Sequence, residues 1–344
     1  MSYTDNLRVI EKTPTDYTPE NVINLSTFDN PYEPGVKVRE ALRSYNSTQL
    51  SKSPDSQLKA LKQALAKKEN MNPNQVEVVN GLDHMLELVA LACFNNSKSV
   101  MLPKVTCGVH SGVVEALKLK TKQIPLTNDF KLKVNDIKDN GGVLIKNPNA
   151  PTSIALDQIE IETILKNNPD VVVVVDEMYV GFGCESVVGL ISTYPNLVVV
   201  KSMKAYRALS GIDVCYVIGS KEVVSVISNL KSLMHTSITS LSNTLALASL
   251  EDEEYVLKNA RMVLKTKDYV IEEVKKMGFE VIPSDANFIC IKHKKTPAQK
   301  ISDKLLKRNY KVKVLTGDLE GYIALTISTQ DVMNAFLKEL KHAA

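Results

Sequence analysis

Four charged residues crowd one short stretch of the chain: Lys201, Lys204, Arg207 and Asp213. Three cations and a carboxylate can grip a phosphate or carboxylate group, or they can close on one another as a polar network, since buried charges need partners. Upstream, a run of five valines at residues 171–175 ends at once in Asp176 and Glu177, with Tyr179 close behind. Polar groups at the end of such a run either meet a ligand or satisfy each other there. His84, Cys107 and His110 are metal-ligand types, but their spacing matches no strong metal pattern, so satisfied core positions and no metal site are expected. Lys201, Lys204, Arg207, Asp213, Asp176 and Cys107 together would line a pocket suited to a phosphorylated or carboxylated ligand.

The elements that must position these residues follow from the apolar pattern. Residues 142–145, 171–175 and 197–200 are short, branched and apolar on both faces, and residues 99–102 form a further short run. This fits strands of a mostly parallel sheet covered by helices. Residues 84–94, 109–119 and 156–166 have the spacing or length of covering and crossover helices. The core is therefore expected to be α/β, with ligand chemistry near the carboxyl ends of the strands. Beyond Gly219 the pattern turns helical at 222–234, 240–250 and 252–277, the last stopped by Lys275-Lys276-Met277-Gly278. Strands at 279–282, 288–291 and 322–327, with helices at 297–308 and 330–342, form a small α+β unit. Expected boundaries are an N-terminal arm at 1–34, a large domain at 35–250 and a small C-terminal domain at 251–344.

Composition narrows the function. The 344 residues carry 42 Lys+Arg against 39 Asp+Glu, and the formal net charge of +3, with no like-charge block, gives no footing for nucleic acid. No apolar run approaches the roughly 20 residues of a membrane helix. Residues 1–8 lack the apolar stretch of a signal peptide. The five cysteines, Cys93, Cys107, Cys184, Cys215 and Cys290, are odd in number and widely spaced, which suits a reducing cytoplasm.

Five stretches, in order, resemble one family. Asn30-Pro31-Tyr32-Glu33-Pro34 resembles an "N-P-Y-x-P" arm, and Val79-Asn80-Gly81-Leu82-Asp83 resembles "G-N-G-S-D". Asn147-Pro148-Asn149-Ala150-Pro151-Thr152-Ser153 resembles "N-P-N-N-P-T-G", and Val175-Asp176-Glu177-Met178-Tyr179 resembles "V-D-E-A-Y". Residues 194–219 resemble the segment "Y-P-N-L-V-V-L-R-T-F-S-K-A-F-G-L-A-G-L-R-L-G-Y-A-I-G". The pattern is that of fold-type-I pyridoxal-phosphate-dependent aminotransferases of class I/II, similar to histidinol-phosphate aminotransferase and threonine-phosphate decarboxylase. The resemblance implies a large domain with a mostly parallel sheet, a small C-terminal α+β domain, and pyridoxal 5'-phosphate as cofactor. It also implies a homodimer, or a heterodimer with an active relative, acting on a small amine, amino acid or phosphorylated ligand.

Carried over residue by residue, the resemblance makes Asp176 the partner of the pyridinium nitrogen and Tyr179 the holder of the ring oxygen. Asp83 and Ser202 belong to the phosphate end. Asn149 and Tyr32 fall at the substrate, Tyr32 reaching from the neighbouring subunit. The rest departs from the pattern. Ala150 replaces the ring-oxygen asparagine, Cys107 the stacking aromatic, Asp213 the phosphate arginine and Ala324 the carboxylate arginine. Without a gap, Lys204 falls on a serine and Ala205 on the Schiff-base lysine. A compensated one-residue shift, suggested by Lys204-Ala205-Tyr206 beside "K-A-F", instead makes Lys204 the catalytic, cofactor-binding amine. Three outcomes stay open: a degenerate or repurposed protein partnering an active relative, an active enzyme using Lys204 on a substrate without an α-carboxylate, and a new activity in the old cleft.

Overall fold

A computed structural model describes residues 18–94, 98–138 and 140–344; residues 1–8 and the first half of the expected arm lie outside the described residues. The strands are β1 (Ile23–Asn24), β2 (Val76–Asn80), β3 (Val100–Pro103), β4 (Thr121–Ile124), β5 (Gly142–Lys146), β6 (Val173–Asp176), β7 (Leu197–Ser202), β8 (Val214–Ile218), β9 (Phe279–Ile282), β10 (Phe288–His293), β11 (Tyr310–Lys311), β12 (Lys313–Val314) and β13 (Ile323–Thr326). The helices are α1 (Val36–Arg43), α2 (Lys59–Glu69), α3 (Leu82–Cys93), α4 (Gly108–Ala116), α5 (Gln158–Asn167), α6 (Lys221–Leu233), α7 (Ser240–Leu250), α8 (Glu253–Lys276), α9 (Ala298–Leu306) and α10 (Gln330–Ala343).

Seven strands form the central sheet in the order β2-β8-β7-β6-β5-β3-β4. All neighbours are parallel except β8, which runs against both β2 and β7. The valine run supplies the middle strand, and its alternation explains the two-sided core. Val173 and Val175 join the apolar cluster on one face, with Val143 and Ile145 of β5. Val174 and Leu144 join the cluster on the other face, with Val113 and Val114 of α4. Period-two alternation therefore sends Lys146 and Asp176, the last residues of β5 and β6, to that second face. They are register partners at the carboxyl ends of adjacent strands.

The C-terminal region is a four-stranded antiparallel sheet, β12-β13-β10-β9, packed against α8, α9 and α10. Helix α8 carries Glu253 and Glu254 in its first turn and Lys275 and Lys276 in its last, matching the helix dipole, and ends before Gly278 at φ +89°. The expected arm is tied to this region: β1 pairs with β11, and the Thr326 hydroxyl donates to the Leu25 carbonyl at 2.8 Å. The pattern reading had assigned no elements to α1, α2, β2, β4 or β8. Strand β8 hides because Asp213 and Gly219 bracket it inside a stretch read only as a motif.

Candidate active site

The centre of the site is a fully buried carboxylate. Asp176 and His110 have no exposed side-chain surface, and Lys146 has 2%. Lys146 Nζ donates to Asp176 Oδ2 at 2.9 Å, and His110 Nε2 donates to the same oxygen at 3.0 Å. The other carboxylate oxygen accepts the Met178 amide at 3.0 Å. Lys146 also lies 2.7 Å from the Met178 sulfur, 3.9 Å from Cys107 Sγ and 4.9 Å from the centroid of the Tyr179 ring. Burial opposes Asp176's charge, but Lys146 and His110 outweigh it and hold the carboxyl far below the usual range. Burial likewise opposes the Lys146 cation, and Asp176 more than restores it.

Cys107 is the N-cap of α4, and His110 sits in the first turn of the same helix. Burial alone would raise the Cys107 thiol, but the charges of Lys146 and His110 bring it down to about 6. Burial would lower His110, but Cys107 and Asp176 bring it up to about 9. Each of the two groups thus favours the charged form of the other. His110 Nδ1 is buried and has no hydrogen-bond partner among the described residues.

Of these groups, Cys107 and Tyr179 reach a cleft of about 800 Å³ between the strand ends and the C-terminal region, which Ala150, Lys104, Lys313 and Thr316 also line. Tyr179 is buried edge-on to Phe28 and Phe288, which stack on each other at 3.9 Å. Asn149 is buried, donating to the Val105 carbonyl and the Thr152 hydroxyl, each at 3.0 Å, while its Oδ1 has no partner. Ala324 is fully buried in β13, and its register partner on β12 is Lys313. Cross-strand partners share a face, so Lys313 brings a cation to the side of the sheet where the resemblance places an arginine.

The other expected groups sit apart from this centre. Lys204 pairs with Asp213 at 3.2 Å, with 29% and 41% of the side chains exposed. The Asp213 carbonyl accepts the Gly81 amide at 2.7 Å, so this pair lies beside the start of α3, where Asp83 is exposed in the first turn. Ser202 is buried and accepts the Lys204 amide at 3.1 Å. Ala205 is buried in the apolar cluster that holds Met178 and Tyr179, its carbonyl accepting from Asn30 at 2.8 Å. Tyr32 is half-buried, its phenol raised by burial and then by Tyr255 and Asp331.

The single network expected from Lys201, Lys204, Arg207 and Asp213 divides instead into three. Lys201 pairs with Glu69 at 2.8 Å and Glu177 at 3.4 Å. Arg207 is committed to the Ser249 carbonyl and Glu253, and only Lys204 meets Asp213. Lys201 sits in β7, whereas Lys204 and Arg207 lie in the turns that follow it and Asp213 immediately precedes β8, so the four leave different parts of the backbone. His84 contacts Glu87 and Thr236, away from Cys107 and His110. Lys146 is the residue the sequence reading missed. Its signal was a lysine closing an otherwise apolar buried strand, which demands an anion, and the neighbouring strand ends in Asp176.

Comparison with known proteins accounts for the fold. The model of the class I and II aminotransferases matches residues 20–336. A histidinol-phosphate aminotransferase of Clostridium botulinum is 34% identical over 328 residues, covering 94% of this chain and 93% of the relative. A solved histidinol-phosphate aminotransferase from Sinorhizobium meliloti, in complex with pyridoxal-5'-phosphate, superposes with a TM-score of 0.86 at 16% identity, covering 93% of this chain and 90% of its own. The L-threonine-O-3-phosphate decarboxylase of Porphyromonas gingivalis superposes with a TM-score of 0.79 at 22% identity, covering 93% and 99%. Pyridoxal phosphate is the cofactor that this family resemblance assigns to the fold. The chain belongs to the class I and II aminotransferase family.

Proposed function

We propose that this chain is an aminotransferase-fold protein that does not transaminate with pyridoxal phosphate, and that its cleft binds a small phosphorylated or carboxylated molecule directly. The observation that carries this is the ammonium group of Lys146 on Asp176. The resemblance gives that carboxylate to a pyridinium nitrogen, and here a protein cation already satisfies it. A buried carboxylate with two cationic donors gains nothing from a third.

Two further features support the same reading. Ala208 adopts φ +57° where the ungapped register has the glycine of "K-A-F-G", which favours the register that places Ala205, not Lys204, on the Schiff-base lysine. The phosphate end carries Lys204 already paired with Asp213, and Asp83 adds a second carboxylate in the first turn of α3, charges that disfavour a dianion there. The residues present therefore do not fit pyridoxal phosphate, and no step is routed through it. Lys104 and Lys313 at the cleft favour an anionic ligand. The same reading places the protein in the cytoplasm as a homodimer or as the partner of an active relative, with Tyr32 at the contact. Among the described residues, no helix is long and apolar enough to cross a membrane.

Titrating the purified protein with pyridoxal phosphate while following visible absorbance tests the proposal. No saturable band is expected. A saturable band that disappears in Lys204→Ala would overturn it and install the enzyme that uses Lys204.

A further inference from the structure

We propose that Cys107 is a nucleophile in the cleft, paired with His110 and aligned through Asp176, and that it takes the acyl group of a small anionic ester or thioester. This rests on the reading that Lys146 has replaced a cofactor nitrogen at Asp176, because the thiol's setting depends on that lysine. Three geometric observations carry it. Cys107 is half-buried and lines the cleft, so a ligand can reach its sulfur. His110, in the first turn of the helix that Cys107 caps and with its amide on the Cys107 carbonyl at 3.2 Å, is completely buried, held through Nε2 by Asp176 at 3.0 Å, with Nδ1 unpartnered. Lys146 lies 3.9 Å from the sulfur, and no side chain caps the α4 N-terminus, so cationic and dipolar fields converge on it.

This is the general architecture of an activated nucleophile: an attacking atom, a base beside it, and a third group orienting the base. The chemistry balances within the centre. The Cys107 thiolate adds to the carbonyl carbon, the carbon–oxygen or carbon–sulfur bond to the leaving group breaks, and the leaving group takes the Nδ1 proton of imidazolium His110. Water then attacks the thioester, neutral His110 accepts its proton, the carboxylic acid departs, and the thiolate–imidazolium pair returns. Lys313 and Lys104 line the same cleft, with Lys104 already paired to Asp318 at 2.8 Å. Lys313 is therefore the cation left to receive the ligand's anionic group.

The other four cysteines act as internal controls. Burial pushes Cys93, Cys184, Cys215 and Cys290 up to about 12, whereas Cys107 is held at about 6. The first test is iodoacetamide alkylation of the native protein across pH, with peptide mapping. Cys107 should label first, its rate rising through about pH 6, and His110→Gln and Lys146→Met should each slow labelling there about tenfold. The wild-type profile decides even if either variant fails to fold. The second test is incubation with p-nitrophenyl acetate and with mono-p-nitrophenyl succinate, followed by mass mapping. Acylation of Cys107, faster with the succinate ester and reduced to the acetate rate by Lys313→Ala, is expected. An ordinary thiol titration, or labelling no faster than at the other cysteines, would overturn the nucleophile; a labelled but never acylated Cys107 would overturn the acyl chemistry. Pyridoxal phosphate binding in the absorbance titration would strike the underlying reading instead, so the two failures are distinguishable.

Discussion

Two regions that carry candidate site residues are built in different ways. At the strand ends, Lys146 and His110 both meet the buried Asp176 carboxylate, and the Cys107 sulfur lies 3.9 Å from Lys146. At the start of α3, Lys204, Asp213 and Asp83 are partly exposed, and solvent screens whatever they lack. Burial explains the contrast. A dry site cannot tolerate an unmatched charge, so a substitution there holds only when its partners compensate. A wet site tolerates loss, because exposed pairs contribute little.

The sharpest way to break this contrast is Asp176→Ala, which strands Lys146 and His110 in the interior. A loss of about 3–5 kcal/mol is expected in urea unfolding at neutral pH. Next in size is an attempt to reverse the departure. Ala205→Lys combined with Asp213→Arg restores the amine and the phosphate cation, yet should gain no visible absorption band with added pyridoxal phosphate. Adding Lys146→Ala, which frees Asp176, should let the band appear; a band in the double variant would show that Lys146 is no obstacle.

A smaller effect lies in acid. The folded Asp176 carboxyl sits far below its unfolded value of about 4, so its contribution is complete above that value and is lost as the pH falls from there toward the folded value. The stability difference between wild type and Asp176→Asn should therefore narrow as unfolding is measured from pH ~5 downward. The smallest effect belongs to the wet end: Lys204→Ala and Asp213→Ala should each change stability by less than about 1 kcal/mol. A larger loss from either would place the start of α3 on the same footing as the strand ends.

Much of the scaffold was legible because buried parallel strands announce themselves as short branched runs. Residues 171–175 and 197–200 led directly to β6 and β7, and the glycine stop at 278 fixed the end of α8. The identities of the altered positions, Cys107, Ala150, Ala205, Asp213 and Ala324, were legible through the resemblance. The contacts among them were not. That Lys146 answers Asp176 is a fact of register between β5 and β6, and that Lys201 and Arg207 turn away from Asp213 is a fact of the glutamates that helices and strand ends elsewhere bring to them. Neither follows from spacing along one chain. Asp176 was legible from its motif; its partners, Lys146 and His110, were not.

The most direct test of the central claim, that Lys146 occupies the role of a cofactor nitrogen and no lysine tethers the cofactor, is borohydride reduction of the protein with saturating pyridoxal phosphate, followed by peptide mapping. The expected result is adduct at Lys204 no greater than at a freely exposed lysine such as Lys221, whose side chain is 70% exposed. Stoichiometric adduct confined to Lys204 would contradict it.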